Sequence, residues 1–159
     1  MNNLSDSKKI EFQIKRPMIQ LISNIVYEQR PSFVSPNTVL EMDVLKHMSD
    51  ERMPAVVFIT GGGFISANKD NYIQQRIDLA EAGYVVVSIE YSVIPEATFP
   101  QPLLDVKSAI RFLKAHAVEF NIDPSKIGVM GDSAGGYLAA LAGTTSGMDK
   151  FETGTNLDQ

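Results

Sequence analysis

The feature that most constrains this chain is Gly131-Asp132-Ser133-Ala134-Gly135-Gly136, set between the apolar run Ile127-Gly128-Val129-Met130 and a small-residue stretch, Gly135 to Ala142, that reads as a helix. A serine with glycines two positions to either side, at a strand-to-helix junction, has a steric reason. Glycines at Gly131 and Gly135 let neighbouring backbone pass where a Cβ would collide. Such a turn lifts Ser133 above the strand end and seats it at a helix N-terminus, where unpaired N–H groups and the helix dipole favour a developing negative charge. The Ala134 N–H is the expected donor. The bland alternative is an ordinary glycine-rich strand-to-helix turn.

Upstream, the pattern alternates between strands and helices. Ile22 to Tyr27 is rich in β-formers, and Thr38 to Leu45 alternates acidic and apolar positions with the period of a strand. Ala55-Val56-Val57-Phe58-Ile59 and Tyr84 to Ile89 are continuous apolar runs, as expected of strands covered on both faces. Asp70 to Ala82 carries Ile73, Ile77 and Ala80 at helical spacing, with Gly83 where a helix-ending glycine belongs. Leu103, Val106, Ile110, Leu113 and Ala117 mark a second amphipathic helix, and Asn121 to Ser125 reads as a turn. The expected fold is α/β, a mostly parallel sheet with helices on both faces and an antiparallel lead-in of two strands. Residues 1–9 are expected to be a flexible leader, and 10–159 part of a single domain.

Gly61-Gly62-Gly63-Phe64, after the Ala55 strand, is the second signal, because consecutive glycines suggest main-chain N–H groups that must approach a ligand closely. Two uses compete. A dinucleotide loop would draw on Glu90 at the next strand end for a ribose hydroxyl, but Ser66 stands where the third glycine belongs. An oxyanion loop would offer the same amides to an oxygen formed by attack of Ser133, and the elbow at Ser133 decides for this second use.

Composition narrows the classes. The 159 residues are 44% hydrophobic with 14 Lys+Arg against 19 Asp+Glu, a formal charge of −5, which supplies no basic stripe for nucleic acid. There is no cysteine for thiolate chemistry or a disulfide scaffold, and only two histidines, so neither cofactor nor metal is expected. No membrane span or signal peptide is read from the sequence, and a cytoplasmic location is expected.

With Glu90-Tyr91, Pro95-Glu96, Phe99-Pro100 and Asp105 in the intervening region, the stretch from Ala55 to about Gly143 resembles the carboxylesterases of the α/β-hydrolase fold, hormone-sensitive-lipase-like and feruloyl or acetyl-xylan esterase-like. The resemblance implies that Ser133 is the nucleophile, that the amides of Gly62, Gly63 and Ala134 form the oxyanion hole, and that the strand before the glycine loop lies beside the strand before the elbow. It covers the N-terminal part of that fold only. Thr60 stands where the family usually has a histidine that shapes the loop, and Ser92 where an arginine often follows the tyrosine.

The resemblance also implies an order of serine, acid, histidine, yet no histidine follows Ser133. His47 reads as a solvated loop residue and His116 as a water-facing residue off its helix stripe. Asp132 is adjacent to the serine and reads as an acid at a helix start. Asp149, Glu152 and Asp158 lie in a polar tail, so no triad acid or base is assigned in this chain. Two readings follow: a serine hydrolase of short acyl or aryl esters, acting on a small-molecule substrate, or a catalytically inactive fragment or pseudoenzyme that serves as a binding module. In either case the elbow strand is expected at a sheet edge, open to self-association or to a completing chain.

Overall fold

The computed structural model describes residues 16–152, so the expected leader and its boundary near Ile10 lie outside the described residues. The strands are β1 (Ile19–Arg30), β2 (Thr38–His47), β3 (Met53–Ile59), β4 (Val85–Ile89) and β5 (Ile122–Gly131), in the order β1-β2-β4-β3-β5. The helices are α1 (Ile73–Glu81), α2 (Gln101–Ala115) and α3 (Ser133–Thr144), with a short 3-10 turn at Asp149–Phe151.

β1 and β2 pair antiparallel, as does β2 with β4, while β3 lies parallel between β4 and β5. The lead-in is thus antiparallel, and the glycine-loop strand lies beside the elbow strand, as the sequence led one to expect. Ile59 faces Ile89 on one side and Gly131 on the other. The three parallel strands therefore end level, and Thr60, Glu90 and Asp132 emerge side by side.

Every residue of β4 is buried, which explains its unbroken apolar run. Val57, Ile59, Val87 and Ile89 pack with Leu103, Val106, Leu113 and Leu138 on the face covered by α2 and α3. Phe58, Val86 and Leu45 pack with Ala80 of α1 on the other face. The alternation of strand side chains across the sheet divides the core in this way.

Helix α1 starts at Ile73, later than the spacing suggested, because Tyr72 at its N-cap is left-handed at φ 60°. Gly83, with φ 98°, ends it as expected, its N–H donating to the Ala80 carbonyl at 3.0 Å. The turn expected at Asn121 to Ser125 survives as an irregularity inside β5. Asp123 accepts from the Ser125 amide at 3.1 Å, while the pairing jumps from Met53↔Ile122 to Ala55↔Ile127. Asp123 is correspondingly acidified to about 2, chiefly by the Ser125 hydroxyl and Lys126.

A guanidinium stands where Ser92 left one wanting. Arg30, at the end of β1, reaches across to place Nη2 2.7 Å from the Ser92 hydroxyl and 2.7 Å from Asp105 Oδ1. Asp105 is fully buried and also accepts from the Ser92 amide at 2.8 Å and from Gln101. A buried carboxylate needs such partners, since an unpaired one carries a large desolvation cost. Arg30 and Asp105 together anchor the segment following β4 to α2.

Candidate active site

Ser133 opens α3 with φ 48°, a left-handed conformation that a non-glycine residue adopts only when the surroundings impose it. What imposes it is the packing of α3 on the sheet. A Cβ on Gly135 would lie 2.0 Å from the Ile59 carbonyl oxygen, and one on Gly131 would lie 2.5 Å from both that oxygen and the Gly135 carbonyl carbon. With both side chains absent, the helix start closes down onto β3, and Ser133 is exposed above the strand ends. The first amides of α3 have no partner one turn back, since the first α-helical bond of that kind runs from Gly136 N–H to the Asp132 carbonyl at 3.0 Å.

The glycine loop is held against this elbow at successive residues. The Thr60 carbonyl accepts from the Tyr91 hydroxyl at 2.9 Å, and the Gly61 amide donates to Asp132 Oδ1 at 2.7 Å. A Cβ on Gly61 would lie 3.0 Å from Ser133 Cβ, which measures how closely the loop passes the serine. The chain then turns at Gly62, whose carbonyl accepts from the amides of Ile65 and Ser66. At φ 153°, and with a Cβ position 2.1 Å from the Ser66 carbonyl oxygen, Gly62 admits no side chain. The amides of Gly62 and Gly63 donate to no group among the described residues. Thr60, in place of the expected histidine, is fully buried, and its hydroxyl has no partner among the described residues. The loop is shaped by Tyr91 and Asp132 instead.

The dinucleotide use fails on geometry. Helix α1 begins at Ile73, well past the glycines, so no helix N-terminus points into the loop, and Glu90 lies within 4.0 Å of Lys69. Burial is the main force raising the Glu90 carboxyl's pKa, with Lys69 opposing it. Among the described residues no group of His, Cys, Asp and Glu is placed to hold a metal ion.

Neither histidine approaches Ser133. His47 is not a loop residue but the last of β2, its Nε2 2.7 Å from the Ala80 carbonyl oxygen. It lies beyond Leu45, which pairs with Val86 at the start of β4, whereas Ser133 stands at the other end of the sheet. The strand length between these ends is roughly 13 Å at ~3.3 Å per residue. His116 caps α2, half-exposed as expected, stacked on Phe112 with Nδ1 3.2 Å from Glu119. It sits beside the start of β5, since Ile122 N–H donates to the Ala117 carbonyl at 2.8 Å. Glu152 is engaged by Lys107 at 2.6 Å, a contact that lowers its pKa, and Asp158 lies outside the described residues. Asp149 falls in the 3-10 turn.

Asp132 stands at a helix start, as read from the sequence, with side-chain partners the sequence did not show. It occupies the N-cap of α3, but its side chain makes no bond to that helix and joins the glycine loop to Tyr72. Helix-start acidity is therefore not its main structural use. Tyr72 and Arg30 were not singled out in the sequence, and Tyr91 was noted only as part of the resemblance, because only the folded pairing shows which hydroxyl or guanidinium meets which loop.

Beside the elbow lies an apolar cavity of about 270 Å³, lined by Phe64, Ile94, Ala97, Phe99, Tyr137 and Leu138 among others. Phe64 follows the glycines directly and meets Tyr137 edge-to-face at 6.0 Å, one helical turn beyond Ser133. The cavity thus opens between the loop and the serine helix.

The chain is similar in sequence and fold to known esterases. The chain is 35% identical over 120 residues to esterase LipC of Mycobacterium tuberculosis, covering 74% of this chain and 29% of that protein. It is 42% identical over 94 residues to neutral cholesterol ester hydrolase 1 of Rattus norvegicus, covering 56% and 23%. The thermophilic esterase Est2 of Thermogutta terrifontis superposes with a TM-score of 0.65 at 30% identity, over 80% of this chain and 44% of that one. The chain therefore spans less than half of each of these esterases. The family model described as BD-FAE matches residues 42–158, which include both the glycine loop and the elbow. The chain belongs to the BD-FAE family and carries part of an α/β-hydrolase fold whose relatives are esterases and carboxylic ester hydrolases.

Proposed function

We propose that this chain supplies the nucleophile and oxyanion loop of a serine carboxylesterase acting on short acyl or aryl esters, with the base and acid supplied by polypeptide outside its 159 residues. The observation that carries the reading is Ser133, held at φ 48° and exposed, facing the close-packed Gly61 to Gly63 loop. In this reading Ser133 Oγ attacks the ester carbonyl carbon as its proton passes to the base. The carbonyl oxygen, now negative, is met by the amides of Gly62, Gly63 and Ala134. The bond to the alcohol then breaks, the base returns the proton to the leaving oxygen, and an acyl group remains on Ser133. Water activated by the same base adds to that acyl group and releases the acid. The 270 Å³ apolar cavity favours a small hydrocarbon group on the substrate.

The test is pre-steady-state hydrolysis of p-nitrophenyl acetate by the chain joined to its completing segment. A burst of p-nitrophenol close to one per Ser133, with acetyl recovered on that residue, is expected; turnover with acetyl on no serine contradicts the assignment.

A second reading, an inactive binding module, is favoured by the placement of both histidines at the far end of the sheet. On either reading β5 pairs only with β3 among the described residues, and Met130 on it is 39% exposed. An open edge of this kind invites another strand. The 159-residue chain is therefore expected to self-associate as concentration rises in sedimentation velocity, and a single monomeric boundary throughout would rule that out.

A further inference from the structure

We infer that Tyr72 is a positioning residue: through Asp132 it holds the glycine loop against Ser133 and keeps Asp132 from capping its own helix. The inference rests on the reading of Ser133 as nucleophile for its catalytic meaning, but the contact itself does not depend on it.

An aspartate at a helix N-cap ordinarily accepts hydrogen bonds from the second or third amide of that helix. Asp132 has the extended backbone of an N-cap, φ −113° and ψ 151°, yet makes no such bond. Its two oxygens turn away instead, Oδ1 to the Gly61 amide at 2.7 Å and Oδ2 to the Tyr72 hydroxyl at 2.9 Å. The amides at the start of α3 are thereby left for another acceptor. These are the amides, Ala134 among them, that an ester oxygen would need.

Tyr72 is built for this reach. Its left-handed backbone, φ 60° and ψ 32°, puts it immediately before α1, and its ring packs on Phe58 of β3 with centroids 5.5 Å apart. The ring rests against Phe58 of the sheet while the hydroxyl extends to the elbow. The hydrogen bond to the Asp132 carboxylate also raises the Tyr72 pKa above its ordinary value. Without that donor, Oδ2 is free to swing towards the α3 amides. Gly61 then loses its acceptor, and the oxyanion donors acquire a competitor within their own chain.

Hydrogen exchange at single amides tests this on the 159-residue chain. Tyr72→Phe keeps the ring on Phe58 and removes only the hydroxyl, so the Val57 amide within β3 serves as the folding control. The Gly61 amide is expected to exchange roughly tenfold faster, the scale of a hydrogen bond to a charged group, with Val57 unchanged. Asp132→Ala should accelerate Gly61 at least as much, and adding Tyr72→Phe to it should change nothing further, because Tyr72 acts only through that carboxylate. In the chain joined to its completing segment, Tyr72→Phe should lower kcat for p-nitrophenyl acetate roughly tenfold and leave KM nearly unchanged, since the affected donors act on the transition state. Gly61 exchange within twofold of wild type in Tyr72→Phe, or an additive effect in the Asp132→Ala background, overturns the inference. Turnover that survives Ser133→Ala would instead remove the nucleophile assignment and leave the exchange result standing.

Discussion

Gly135→Ala is expected to destabilise the fold by about 3 kcal/mol or more, the upper range for forcing atoms into a packed interior. The added Cβ would lie 2.0 Å from the Ile59 carbonyl oxygen, 2.6 Å from the Ile59 carbonyl carbon and 2.9 Å from that of Thr60. All three atoms are backbone, belonging to β3 and to the first residue of the glycine loop, so no side chain can rotate away to make room. Relief would require α3 to lift from the sheet, taking Ser133 away from Gly61. The same substitution at Gly143, further along the same helix, meets nothing within 4 Å. There, loss of glycine's backbone freedom should stabilise the chain by roughly 0.5–1 kcal/mol. Urea denaturation of the two variants separates the effects: midpoints that shift in opposite directions support this packing, and a neutral Gly135→Ala contradicts it.

Ser133→Ala is expected to lower kcat for p-nitrophenyl acetate on the order of 10⁶-fold in the chain joined to its completing segment, the scale at which loss of a triad serine acts. That is roughly 8 kcal/mol of barrier, at ~1.4 kcal/mol per factor of ten. Asp132, the adjacent candidate, has both carboxylate oxygens engaged by Gly61 and Tyr72. The amides of Gly62, Gly63 and Ala134 would remain, so some rate above that in water should persist. Stability should barely change, because Ser133 is exposed and alanine carries the same Cβ into the left-handed turn that serine already occupies.

The three parallel strands of this mixed sheet and the turn at Ser133 could be read in the sequence because their causes are local. Strands buried on both faces are apolar throughout, as in Val85 to Ile89, and a strand-to-helix turn this tight excludes side chains at Gly131 and Gly135. Contacts between distant segments were not legible in the same way. Arg30 and Asp105 are 75 residues apart, and nothing in the local pattern of either shows that they form one buried pair. Asp132 could be recognised as an acid at a helix start, but its partners, Gly61 and Tyr72, lie 71 and 60 residues away. The left-handed backbone at Tyr72, whose ring meets Phe58 of β3, likewise delays α1 without a signal in the local sequence. His47 was misread for a similar reason: the Ala80 carbonyl that receives it comes from α1, across the sheet.

The central claim is that Ser133 becomes a nucleophile only when a base from outside these 159 residues reaches it. Labelling with a fluorophosphonate, followed by peptide mapping, measures this directly. The account predicts no label above a Ser133→Ala control in the 159-residue chain alone, and stoichiometric label on Ser133 once the completing segment is joined to it. Comparable labelling of Ser133 in the chain alone, or label on any other residue in the completed protein, would contradict it.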